Sequence, residues 1–143
     1  LKKKKLNIND YILLLVCICI SFLIIITGCS ENNSEIGIGP VKKLNLAPLN
    51  KNLSEKGKQI FDMKCIPCHR IDSKIVGPSL SGVTKRRKPE WIMNMILNPV
   101  QMTKENEAAK QLLNQYLVQM TYQNVSEDDA KAILEYFRDV DLK

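Results

Sequence analysis

Cys65-Ile66-Pro67-Cys68-His69 puts two thiols and an imidazole within one short run, at the spacing of a c-type haem attachment site. Two intervening residues let both sulfurs reach one porphyrin edge and add across its vinyl groups, and the imidazole that follows lands under the iron. Other uses of a CxxC pair fit less well. Zinc takes four ligands, whereas the chain beyond Cys29 offers only these two cysteines and His69, the one histidine of the sequence. A thioredoxin-like redox site belongs in a βαβ context, and the strand pattern for it is absent. With no second histidine, the iron's other axial ligand must come from another residue type.

The ends of the chain set the compartment. Leu1 to Asp10 carries Lys2, Lys3, Lys4 and Lys5, Tyr11 to Ile26 is almost wholly apolar, and the segment closes Ile26-Thr27-Gly28-Cys29. A basic stretch before an apolar one is an export signal. Its ending resembles the bacterial lipobox, in which cleavage falls before the cysteine and acyl chains are attached to it. The alternative is an uncleaved membrane anchor, which needs about 20 apolar residues. Both place residues 30–143 outside the cytoplasmic membrane, facing the periplasm or cell exterior. The expected organisation is a signal peptide over 1–28, a lipid-bearing Cys29 with a flexible tether over 29–50, and a folded domain over 51–143. Cys17 and Cys19 fall in the apolar stretch, so Cys65 and Cys68 are the thiols of the mature domain. The formal charge of +6 drops to +3 once the signal is removed, with 17 basic and 14 acidic residues left. Neither that balance nor export fits nucleic-acid binding.

The elements that must position the motif read as helical. Ser30 to Asn50 shows no periodicity and scatters Asn32, Asn33, Ser34, Gly37, Gly39, Pro40 and Pro48, as an extended tether would. Ser54 is a suitable N-cap for a helix over Glu55 to Lys64, with Gly57, Ile60 and Phe61 on one face. Pro89 starts a second helix that exposes Trp91, Ile92, Met95 and Ile96 on one side, and Asn98-Pro99 stops it. A third helix fits Glu105 to Val118. Ser126 and Asp129 form a variant capping box for the last, whose inner face is Ala130, Ile133, Leu134 and Phe137. About four short helices around one covalent haem make an all-α domain, the cofactor supplying the apolar plate that so small a core lacks.

In this order the features resemble the small class I cytochromes c. They are Gly57 and Phe61 leading into CxxCH, then Gly77-Pro78-Ser79-Leu80, then Trp91, a Met-bearing loop, and a final helix with Leu134 and Tyr136. The resemblance spans Leu53 to Phe137. It implies the cytochrome c fold with one haem c, first and last helices crossing at Gly57 and Tyr136, and a Pro78 carbonyl that accepts a hydrogen bond from His69 Nδ1–H.

The sixth ligand is then expected to be a methionine, whose thioether binds both iron oxidation states without a proton. Met63 is tied to the proximal helix, and Met93 and Met95 lie within the second helix. Met102 and Met120 occupy loop-like positions. Met120, six residues before the Ser126 cap, matches the place the resemblance gives the ligand, with Met102 the alternative. Thr121 departs from the proline that often follows this methionine. Trp91 is a candidate donor to a haem propionate or a core residue, and Arg86 or Arg87 a candidate propionate partner within Lys85-Arg86-Arg87-Lys88.

These readings favour an electron carrier between a quinol-oxidising donor complex and a terminal oxidase or reductase, held to a membrane by its lipid. Lys85-Arg86-Arg87 followed by Pro89-Glu90-Trp91-Ile92-Met93-Asn94 also resembles lipoprotein cytochromes that accompany nitrous oxide reductase. A haem peroxidase or gas sensor with a displaceable sixth ligand is the alternative, for which the chain lacks a distal histidine.

Overall fold

A computed structural model describes residues 7–25 and 33–143. All regular structure in it is helical. The chain divides into an N-terminal unit ending at Glu31 and a second unit from Asn32 to Lys143. In the first, α1 (Ile8–Ile25) starts at Asn7, whose side-chain carbonyl takes the Ile8 N–H at 2.9 Å. Its 18 residues extend about 27 Å at the α-helical rise. Among the described residues no helix is long and apolar enough to cross a membrane. Cys29 lies outside the described residues.

The second unit holds the four expected helices and three shorter ones. They are α2 (Asn33–Ile36), α3 (Lys51–Lys64), α4 (Val83–Arg86), α5 (Pro89–Leu97), α6 (Pro99–Glu105), α7 (Glu107–Tyr116) and α8 (Glu127–Asp141). The first of the four begins earlier than the sequence implied. Asn50, not Ser54, caps α3 by accepting the Leu53 N–H at 3.1 Å. Ser54 is instead buried against α8, its hydroxyl donating to Asp139 at 3.0 Å. Pro99 both stops α5 and occupies the first turn of α6, where its missing N–H is not needed. A stretch expected to be loop is therefore helix, and Met102 is on it. The Ser126–Asp129 capping box forms as expected, both of its reciprocal bonds being present.

Helices α3 and α8 cross at Gly57. A Cβ there would lie 1.8 Å from the Ala132 carbonyl oxygen, so only glycine allows the backbones this close. The glycine's nearest neighbours are thus Ala132 and Ile133, one turn before the expected Tyr136. Tyr136 packs on Phe61 instead, ring centroids 5.5 Å apart, and Phe137 meets the same ring edge-on at 5.7 Å. Ile60, Phe61, Ile92, Ile96, Ile133, Leu134 and Phe137 make the buried centre between α3, α5 and α8.

Of the flexible tether expected over 29–50, residues 29–32 lie outside the described residues, and residues 33–50 are packed as a strap bound along α5, α6 and α8. Asn94, fully buried in α5, accepts the Val41 N–H (3.0 Å) and donates to Ile36 O (2.9 Å) and Val41 O (2.8 Å). Asn98 donates to Ile38 O (3.3 Å) and Asn106 to Ser34 O (3.0 Å). Farther on, Glu90 takes the Leu44 N–H, Glu135 the Asn50 N–H, and Arg138 reaches Ala47 O. Beyond α2 the strap has no regular structure to pair its backbone groups, and buried ones must find partners. Here amide side chains supply them. Gly37 and Gly39 let the strap approach, since a Cβ would stand 2.7 Å from Met102 Sδ at the first and 2.4 Å from Asn94 Oδ1 at the second.

Candidate functional site

The turn that ends α3 carries the reactive motif. Cys65 N–H and Ile66 N–H both bond Phe61 O, and His69 N–H bonds Cys65 O at 2.9 Å. Cys68 and His69 are thereby folded back on the helix end. Gly77 N–H bonds Cys68 O at 2.8 Å, bringing Gly77-Pro78 over the imidazole. His69 Nδ1 lies 3.2 Å from the Pro78 carbonyl oxygen. A carbonyl only accepts, so Nδ1 carries the proton and Nε2 is the nitrogen left with a lone pair. Burial lowers the pKa of the ring below the ordinary histidine value, and the Pro78 bond only partly opposes it. The neutral imidazole that results is the form that ligates metals. A Cβ on Gly77 would be 2.4 Å from His69 Cε1, so the ring's seat requires glycine. Burial pushes the Cys65 thiol up to about 11.

Cys65, Cys68 and His69 line a cavity of about 590 Å³. Its walls are apolar side chains of α3, α5, α7 and α8, including Phe61, Ile92, Ile96, Leu112, Ile133 and Phe137. Lys64, Lys74, Arg86 and Arg87 also line it, and among the described residues no carboxylate does. An apolar slot of this size fits a flat macrocycle. Two thiols and an imidazole at one edge, with four cations and no acid around it, fit one that carries carboxylates. The residues present therefore suit a covalently attached haem.

The methionines divide sharply. Met63 is 70% exposed on α3 and Met93 is buried in the core. Met102, fully buried, accepts the Ile38 N–H on its sulfur at 2.9 Å and lies under the strap, outside the cavity lining. Met95 and Met120 both line the cavity. Met95 does so from the middle of α5 while packed against the core, whereas Met120 comes from the irregular loop after α7 and is not part of that packing.

A cytochrome c family model matches residues 54–141. The chain belongs to the cytochrome c family. The structure of cytochrome c from Rhodothermus marinus is similar to it, at 42% identity and a TM-score of 0.74, covering 77% of this chain and 96% of that one. An engineered form of that protein bound to a carbene intermediate matches at 41% identity and TM-score 0.72, over 78% and 97% of the two chains. The cytochrome c domain of the pp3183 protein from Pseudomonas putida matches at 26% identity and TM-score 0.55, over 61% and 89%. No curated protein sequence matches the chain. The cofactor of this cytochrome is covalent haem c, and its role is electron transfer rather than catalysis of a substrate reaction.

One expectation about the cytochrome's cavity wall changes. Trp91 is buried and its indole N–H donates to Asn106 Oδ1 at 3.0 Å, so that proton is not available to a propionate. The indole still forms part of the wall, and the Arg87 guanidinium stacks over it at 4.9 Å. Arg86 lines the cavity with its guanidinium held by Ser81 O (2.5 Å) and Ser79 O (3.4 Å). The sequence reading did not single out Asn94, Asn106 or Lys64. A polar residue inside the apolar run Trp91-Ile92-Met93-Asn94-Met95-Ile96 was the available signal for Asn94, because a buried amide implies a partner.

Proposed function

We propose that this cytochrome is a lipid-anchored monohaem carrier in which Cys65 and Cys68 would hold the haem by thioether bonds and His69 and Met120 would ligate its iron. The observation that carries the reading is the cavity into which Cys65, Cys68, His69 and Met120 all converge. The bound haem supplies a one-electron iron couple. Each side chain then has a separate task. Pro78 keeps the Nδ1 proton and so fixes the ring with Nε2 inward, a partner bond of the kind that orients metal-bound histidines. The Met120 thioether exchanges no proton when the oxidation state changes and raises the potential. Met95 serves the wall, since a flexible thioether in a helix packed on the core is ordinary filling. Arg86, next to Arg87, meets the propionates.

The basic and apolar leader with Thr27-Gly28-Cys29 supports cleavage after residue 28 and acylation of Cys29, with the domain facing the periplasm or cell exterior. With residues 33–50 fastened to the domain, few residues separate the lipid from the haem. Confinement near one membrane raises the effective concentration of membrane-bound partners. The donor in this reading is a quinol-oxidising complex and the acceptor a terminal oxidase or reductase, with nitrous oxide reductase favoured by the resemblance of the segment over residues 85–94.

Two measurements test the proposal. The ferrous holoprotein should bind CO slowly and weakly; ready binding would instead indicate an open site, as in a sensor or peroxidase. Labelled fatty acid should enter the wild-type protein and not Cys29→Ser. Equal labelling of the two would remove the anchor.

A further inference from the structure

The loop that carries Met120 is fastened at very few points. Among the described residues, 118–125 make no backbone-to-backbone hydrogen bond. Upstream of the methionine, the Thr103 hydroxyl of α6 donates to Gln119 Oε1 at 2.8 Å, and the same amide donates to Met120 O at 2.8 Å. Downstream, the Lys64 ammonium donates to two successive carbonyls, Gln123 O at 3.0 Å and Asn124 O at 3.2 Å. Asn124 takes a left-handed conformation (φ 52°), which turns the chain so that both carbonyls meet the one ammonium. Asparagine tolerates that region better than most residues. The other bonds of Tyr122 and Gln123 stay inside the loop.

Lys64 is the last residue of α3, directly before Cys65. Its ammonium thus joins the helix end that bears Cys65 to the loop that bears Met120, and both of those residues line the cavity. Charge-assisted donation is stronger than neutral bonding, and a cation suits the carboxyl end of a helix.

We propose that Lys64 is a positioning residue that clamps the Met120 loop over the cavity, and so sets how easily an external ligand replaces Met120 at the iron. The assignment rests on Met120 as axial ligand. Without the clamp the loop keeps the Gln119 tie and the buried Val125, but loses the hold three and four residues after the ligand.

The test uses haem-loaded Lys64→Met, which keeps the apolar stem, with Lys64→Arg as the conservative variant. Lys58→Met is the control, since Lys58 lies on the same helix and meets only Asp62 among the charged groups it bonds. Imidazole titration of the ferric proteins should show about tenfold tighter binding in Lys64→Met. Lys64→Arg and Lys58→Met should stay near wild type. Limited proteolysis within residues 118–125 should quicken in Lys64→Met alone. Unchanged cleavage there, or tighter imidazole binding in Lys58→Met as well, overturns the clamp. The cleavage readout does not depend on which side chain ligates the iron. It therefore decides the clamp even where Met120→Ala keeps its methionine-to-iron band, a result that would overturn the axial assignment instead.

Discussion

Two largely irregular segments lie on this helical domain, and they are held in opposite ways. The strap over residues 33–50 has its backbone groups met by buried amides of Asn94 and Asn106, with Asn98, Glu90 and Glu135 continuing the row. The loop after α7 has Lys64 and Gln119 and little else. Their left-handed positions differ in the same sense. The strap uses glycine at residue 37 (φ 78°), while the loop uses Leu117 (φ 57°) and Asn124. A segment that covers the permanent core is sealed at every turn. One that lines the cavity is left adjustable, with left-handed backbone at Leu117 and Asn124.

That contrast can be broken most forcefully at Asn94. Asn94→Leu removes three bonds at once and leaves the Ile36 and Val41 backbone groups unpaired, so it should cost about 4 kcal/mol in denaturant unfolding. A loss under about 1 kcal/mol would mean that the strap is not sealed as described. Met102→Ala opens a void beneath the strap and should cost about 3 kcal/mol, with the axial ligation spectrum unchanged. Trp91→Phe deletes the indole donor to Asn106, whose oxygen keeps the Ala109 N–H; about 1 kcal/mol should be lost in the same assay.

On the loop side the sign reverses. Leu117 is 84% exposed and sits where helices usually place glycine. Leu117→Gly should therefore raise stability by about 0.5 kcal/mol, whereas Gly37→Ala should lower it. Acid separates the segments further. The amides that bind strap residues 36–41 do not titrate. The loop's far end is fixed by the Asp129 capping box, and the bonds to Ser126 hold that carboxyl below its usual value. A depressed pKa contributes stability above the unfolded value, about 3.9 for Asp, and loses it as the pH falls through the folded one. Between pH 5 and 3, amide protection, measured as exchange relative to the intrinsic rate at each pH, should fall at residues 126–130 before it falls at 36–41.

Much of this was legible in the residues. Pro89, the Asn98-Pro99 stop and the Ser126–Asp129 box are local signals, and each formed as local chemistry dictates. The Pro78 carbonyl lies where the resemblance put it. The strap was not legible, because Gly37, Gly39 and Pro40 read as loop punctuation whether the segment is free or bound. Its partners Asn94 and Asn106 lie some 50 to 70 residues away. Met102 looked like a loop residue because Pro99 signals a stop and a start with the same ring. Trp91 could not be assigned, since its donor's partner depends on how α5 and α7 meet.

The central claim is that Met120, not the buried Met102, completes the axis with His69. The ferric far-red methionine-to-iron band, recorded for Met120→Ala, Met102→Ala and Met95→Ala, tests it most directly. The account predicts that the band is lost in Met120→Ala and kept in the other two. Loss in Met102→Ala or Met95→Ala, with the band intact in Met120→Ala, would contradict it.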